Sequence, residues 1–185
     1  MGWTFQAKPS DVKGYLDRSL TWTNEHGKRR VLDSAIVAAR EYYAAVEWIK
    51  PDGSREVWCA VFMLQFVPRA VDGYTFGYKD MEESMGPHCW RCPERILDLL
   101  TETQSEYAKG WREKCRQYHA NRAAKPKLQP GMRLRVTNES VPTIGGVPVR
   151  EVKVVTAGRV PKFWVDGYGL PFRWPSWRQY QMEVM

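Results

Sequence analysis

Eight consecutive apolar residues, Val57-Trp58-Cys59-Ala60-Val61-Phe62-Met63-Leu64, follow closely on the turn Pro51-Asp52-Gly53-Ser54, and a second apolar run, residues 42–49, precedes it. Proline presets φ and glycine accepts positive φ, so the turn folds the two runs back on each other as a hairpin. A strand that is apolar on both faces needs cover on both sides, which predicts that residues 57–64 form a central, buried strand with Cys59 as a core residue. Upstream, Ala35, Ala38, Ala39, Ala44 and Ala45 suit a helix, while Val31, Ile36, Val37, Tyr42, Tyr43, Val46 and Trp48 suit strands. The turn favours strands: a three-stranded meander over residues 31–39, 42–49 and 56–66, with Gly73-Tyr74-Thr75-Phe76-Gly77-Tyr78 pairing at its edge.

Helix signals flank this sheet. Pro9-Ser10-Asp11 opens a short helix behind a Ser10 cap, with Val12, Tyr15 and Leu16 at helical spacing. Pro93 stands at the first position of another, with Ile96, Leu97, Leu99 and Leu100 as its apolar stripe. Thr103-Gln104-Ser105-Glu106 has the form of a capping box and predicts a longer helix that turns Tyr107, Trp111, Cys115 and Tyr118 inward. Two prolines and a glycine in Lys125-Pro126-Lys127-Leu128-Gln129-Pro130-Gly131 end that helix and mark the best domain boundary. Short runs at 132–137, 147–155, 159–165 and 179–184 follow. The expected fold class is α+β: an antiparallel meander covered by helices over residues 1–125, then a small SH3-like β-barrel over residues 126–185.

The 185 residues carry a net charge of +7, unevenly spread: residues 1–106 hold 13 basic and 16 acidic residues, and residues 107–185 hold 15 and 5. Lysine and arginine displace counterions from phosphate, so the back half is the expected contact for a polyanion. Arg112, Arg116, Lys125, Lys127, Arg173 and Arg178 are the expected phosphate-facing groups. Trp174 and Trp177, interleaved with arginine, are the rings expected to stack on bases. No stretch reaches the roughly 18 apolar residues of a membrane span, and the first residues lack a basic-then-apolar leader, so the expectation is a cytoplasmic protein without a membrane partner.

Four cysteines without a secretion signal read as thiols or metal ligands. Cys89 and Cys92 on a loop, with Cys115 and His119 one helical turn apart, have the donor types of a structural zinc site, and His88 offers a substitute for Cys89. Cys92 at a helix start beside His88 or His119 also has the form of a nucleophile and base, and Asp80, Glu82 and Glu83 crowd an acidic loop over residues 79–87. Without a phosphate-cradling loop or a nucleophile elbow, a non-catalytic binding protein is the stronger expectation.

The chain resembles a family of small uncharacterised proteins of phages, plasmids and bacterial genomes. The residues that carry the likeness are the start Met1-Gly2-Trp3-Thr4-Phe5, then Tyr42-Tyr43-Ala44-Ala45-Val46-Glu47 and Gly77-Tyr78-Lys79-Asp80-Met81-Glu82-Glu83-Ser84-Met85-Gly86-Pro87. Cys92-Pro93-Glu94-Arg95-Ile96-Leu97-Asp98-Leu99-Leu100 and Trp111-Arg112-Glu113-Lys114-Cys115-Arg116 complete it. That family usually places Cys where His88 stands and does not require His119, which implies His88, Cys92 and Cys115 as the meaningful set. The resemblance further implies a mobile-element setting. The partner is then nucleic acid, or a host nucleoprotein or defence complex that an anti-defence protein inhibits by direct binding.

Overall fold

A computed structural model describes residues 2–67, 73–137, 143–144, 146–158, 160–174, 177, 180 and 182–185. The chain is mixed α+β and divides into two compact units, residues 1–119 and 120–185. No helix among the described residues is long and apolar enough to cross a membrane.

Unit 1 is a six-stranded antiparallel sheet with helices on both faces. Its elements are β1 (Thr4–Gln6), α1 (Val12–Ser19), β2 (Trp22–Asn24), β3 (Gly27–Val37), β4 (Glu41–Ile49), β5 (Arg55–Phe66), β6 (Phe76–Glu82), α2 (Glu94–Leu97) and α3 (Glu106–Ala123). The last four residues of α3 belong to unit 2. The strand order is β1-β6-β5-β4-β3-β2, so β5 and β4 take the middle places that their double-faced apolar runs require. One face, carrying Tyr42, Ala44, Val46, Ala60, Phe62 and Leu64, is covered by Val12 and Leu16 of α1. On the other, Tyr43, Ala45, Cys59 and Val61 meet Ile96 and Leu97 of α2, Trp111 and Cys115 of α3, and the loop bearing Cys89 and Cys92.

Local chemistry departs from the sequence expectation at several places, among them α2, where Pro93 is the N-cap and Leu99, expected in the apolar stripe, is exposed. Asp11 rather than Ser10 caps α1, its carboxylate accepting from the Gly14 N–H at 2.9 Å. Ser105, not Thr103, accepts from the Ala108 N–H at 3.3 Å at the start of α3. The buried stripe of α3 is Ala108, Trp111, Arg112 and Cys115, and Tyr107 is 74% exposed, because burial of Trp111 and Cys115 turns position 107 outward. Asp80 and Glu82, expected in a loop, lie in β6, where the ladder pairs Asp80 with Phe62 and Glu82 with Ala60.

Unit 2 contains a five-stranded antiparallel sheet built from β7 (Arg133–Val136), β10 (Glu151–Thr156), β11 (Lys162–Trp164), β12 (Phe172–Arg173) and β13 (Met182–Val184), in the order β12-β11-β10-β7-β13. A separate two-stranded ribbon, β8 (Thr143–Ile144) and β9 (Val147–Pro148), lies between β7 and β10 in the chain. Period-2 alternation sends Leu134, Val136, Val152, Val154 and Phe163 into a core closed by Trp174 and Trp177. β12 falls within residues 167–175, which the sequence reads as connection.

Candidate functional site

The outward face of the unit 2 sheet is set by register. Lys153 of β10 lies opposite Arg133 of β7 on one side and Trp164 of β11 on the other. Two residues along β11, Lys162 lies opposite Arg173 of β12. Directly paired residues share a face, and so do residues two apart on a strand, so Arg133, Lys153, Trp164, Lys162 and Arg173 stand together. All five are exposed, Trp164 at 38%. Among the described residues, Lys153, Lys162 and Arg173 form no ion pair and Trp164 makes no ring contact.

The acids on this face are paired with its arginines. Arg135 is paired with Glu151 at 3.2 Å and with Glu183 at 3.7 Å, and Arg133 reaches Asp166 at 3.7 Å. Such exposed pairs are worth about 0–1 kcal/mol and give way readily to a better anion. A cavity of about 150 Å³ beside Trp164 is lined by Arg133, Lys153, Glu151 and Asp166.

The expected contact residues are divided by burial. Arg112, expected to face phosphate, is buried: its Nε donates to Glu83 Oε2 and its Nη2 to Glu83 Oε1, both at 2.6 Å, and its Nη1 donates to the Thr101 carbonyl at 2.5 Å. Trp174 and Trp177, expected as stacking rings, pack on Phe163 in the unit 2 core, with centroids 5.7 and 6.0 Å away. Arg116, Lys127 and Arg173 are exposed, and Lys125 is half-buried. Arg178 lies outside the described residues. The group missed from the sequence is Lys153, while Lys162 and Trp164 belong to the aromatic and basic run that continues to Trp177 and are not singled out within it. Their signal is the alternation of Lys162-Phe163-Trp164, in which burial of Phe163 obliges both neighbours to face out.

All four cysteines of the chain are buried thiols of unit 1. Cys59 Sγ and Cys92 Sγ are 3.8 Å apart, and Cys59, Cys89, Cys92 and Cys115 share one core cluster. Burial pushes the Cys89 thiol up to about 11 and the Cys115 thiol up to about 12. The loop is fastened through its carbonyls. Trp111 Nε1 donates to the Cys89 carbonyl at 2.9 Å, and His119 Nε2 donates to the Cys92 carbonyl at 2.7 Å. His119, expected as a zinc ligand, therefore spends that nitrogen on the backbone, while His88 is exposed and stands edge-on to Trp90. Among the described residues, no three of His, Cys, Asp or Glu are grouped as a metal site. The nucleophile and acid set of Asp80, Glu83, His88 and Cys92 is likewise divided: Glu83 is bound by Arg112 and Cys92 is fully buried.

Residues 102–177 match the model of a domain of unknown function, DUF6927. The match takes in all of α3 and all of the unit 2 sheet except β13, and it accords with an uncharacterised family. No curated protein and no solved structure matches the chain.

Proposed function

We propose that the protein is a non-catalytic binder of single-stranded nucleic acid, and that it binds through the outward face of the unit 2 sheet. The observation that carries this reading is the placement of exposed Trp164 among Lys153, Lys162 and Arg173, whose charges no described carboxylate claims. An exposed indole offers a stacking platform worth about 1–3 kcal/mol per base, and the flanking cations neutralise the strand that carries the base. Duplex bases are already stacked on each other, so an open strand suits this face better. The reading takes the order β12-β11-β10-β7-β13 as an SH3-like barrel, in which the last strand of the chain pairs beside the first. It takes β2 to β6 as a meander that serves as the carrier domain.

The test is fluorescence anisotropy with a labelled single strand of about 15 nucleotides, the upper range of one small barrel's footprint. Affinity should fall steeply between about 50 and 200 mM salt and should drop further in the triple variant Lys153→Gln, Lys162→Gln, Arg173→Gln. Salt-independent binding, or no difference between the triple variant and wild type, defeats the proposal. Salt-insensitive capture of a host protein would favour the anti-defence reading instead.

A structural zinc rests on the thiols alone. The 3.8 Å between Cys59 Sγ and Cys92 Sγ equals the edge of a tetrahedron with zinc–sulfur bonds of about 2.3 Å, and this one pair distance is what supports the zinc expectation. Elemental analysis of the purified protein checks this: one zinc per chain supports it, and none removes it.

A further inference from the structure

β6 ends at Glu82, opposite Ala60, so Trp58 and Glu56 of β5 have no strand beside them on that side. The turn at residues 83–85 and the segment leading into α3 border the gap. It holds a cavity of about 250 Å³ lined by Arg29, Trp48, Glu56, Trp58, Glu82 and Thr103.

Arg29 is held there by flat faces. Its guanidinium carbon lies 4.9 Å from the ring centre of Trp22, 5.2 Å from that of Trp48 and 4.7 Å from that of Trp58. Cation–π attraction fixes the position of the group but satisfies none of its five N–H donors. Its Nε is buried and has no hydrogen-bond partner among the described residues. A buried donor left without an acceptor is costly, and proteins rarely tolerate one outside a functional setting. Of the three carboxylates on the lining, Glu83 is held by Arg112 and the other two are lightly engaged: Glu56 meets Lys50 at 3.4 Å, and Glu82 accepts from the Ser84 hydroxyl at 3.3 Å.

We propose that this cavity binds a neutral purine with the hydrogen-bonding edges of guanine. A guanine carries two adjacent N–H donors on one edge, which suit a carboxylate, and on another edge the O6 and N7 acceptors that suit an arginine fork. Arg29 lies over Trp48 and Trp58, and Lys50 Nζ stands 5.1 Å from the ring centre of Trp48, so the base is held by its edges. Adenine lacks the paired donors, and uracil lacks N7. Glu56 and Glu82 repel a phosphate, so the free nucleoside is preferred to its monophosphate.

Calorimetric titration of the full chain with guanosine, adenosine, uridine and guanosine 5′-monophosphate tests the proposal. Guanosine should bind with a Kd of about tens of micromolar, the range set by the usual affinity per atom for a ligand of this size. Adenosine and uridine should bind at least about tenfold more weakly, and the monophosphate more weakly than guanosine, by a margin that shrinks with salt. Arg29→Lys keeps the charge but loses the fork, and should cost about tenfold. At least one of Glu56→Gln and Glu82→Gln should do the same, with melting temperatures showing that the variants fold. Equal binding of all three nucleosides, no binding of guanosine, or full affinity in all three variants overturns the proposal. Trp164→Ala should leave guanosine affinity intact, which separates this site from the unit 2 face; loss of guanosine binding in that variant would move the site to unit 2 and defeat the inference.

Discussion

In unit 1 the arginines at 30, 91, 95 and 112 each reach a carboxylate, those of Glu47, Glu41, Asp33 and Glu83, whereas on the unit 2 sheet Lys153, Lys162 and Arg173 reach none among the described residues. Three of those carboxylates, on Glu41, Glu47 and Glu83, are buried, so their partners serve to make burial of a negative charge tolerable. Both units are rich in arginine; unit 1 offers Arg29 in a cavity, and unit 2 offers Arg173 on an open sheet face. What distinguishes them is the strand period. β7, β10 and β11 are too short and too regularly alternating to bury both faces, while β4 and β5 are buried on both.

The sharpest test of this contrast is Arg112→Met. If the guanidinium exists to neutralise Glu83, its removal strands a buried carboxylate and should cost about 3–5 kcal/mol in urea-induced unfolding. Adding Glu83→Leu should recover most of that loss. Binding of a single strand, measured where the variant remains folded, should be unchanged. Weakened binding with intact stability would return Arg112 to the contact surface.

Two tryptophans of unit 2 should separate in the same way. Trp174→Ala empties part of the Phe163 core and should cost about 3–5 kcal/mol of stability. Trp164→Ala removes an exposed ring and should leave the melting temperature nearly unchanged, while lowering single-strand affinity by about 1–3 kcal/mol. If the two variants exchange these effects, the outward face has been assigned to the wrong side of the sheet.

These expectations also show how far the sequence could be read. The turn at Pro51–Ser54 and the double-faced run after it made the central hairpin legible, because turn chemistry and apolar continuity are local signals. The direction of α3 was less legible: Tyr107 and Ala108 both fit a helical stripe, and only packing against the sheet determines that Ala108 goes in. Arg112 looked like surface because arginine usually is. Its partner Glu83 lies 29 residues away, and no local pattern joins them. Trp164 and Trp174 are the same residue type in similar company, and the parity of β11 separates them only once Phe163 is known to be buried.

A smaller effect concerns counterions. Lys162→Gln with Arg173→Gln removes two facing cations, which should reduce the slope of log affinity against log salt by about 1.4, at about 0.7 per phosphate contact on a single strand. The double variant Arg30→Gln with Arg95→Gln, whose cations are paired with Glu47 and Asp33 in unit 1, should leave the slope where it was. Equal reductions would mean that net charge alone, without a defined face, drives binding.

The smallest effect separates the units by pH. Every cysteine lies in unit 1, and burial holds Cys89 up to about 11 and Cys115 up to about 12, above the ordinary value near 9. In the zinc-free protein the folded state therefore keeps protons that the unfolded chain releases. The stability these thiols contribute is whole below pH 9 and is lost as pH rises from there through the folded values. At pH 10 the loss is about 1 kcal/mol for each thiol. Urea midpoints of wild type and of Cys89→Ala with Cys115→Ala, compared at pH 8 and pH 10, check it: the wild type should lose more on the alkaline side than the double variant. Single-strand binding by unit 2, which has no thiol to deprotonate, should then fall less across that interval than unit 1 stability does, and a parallel fall in both would break the separation of roles between the two units.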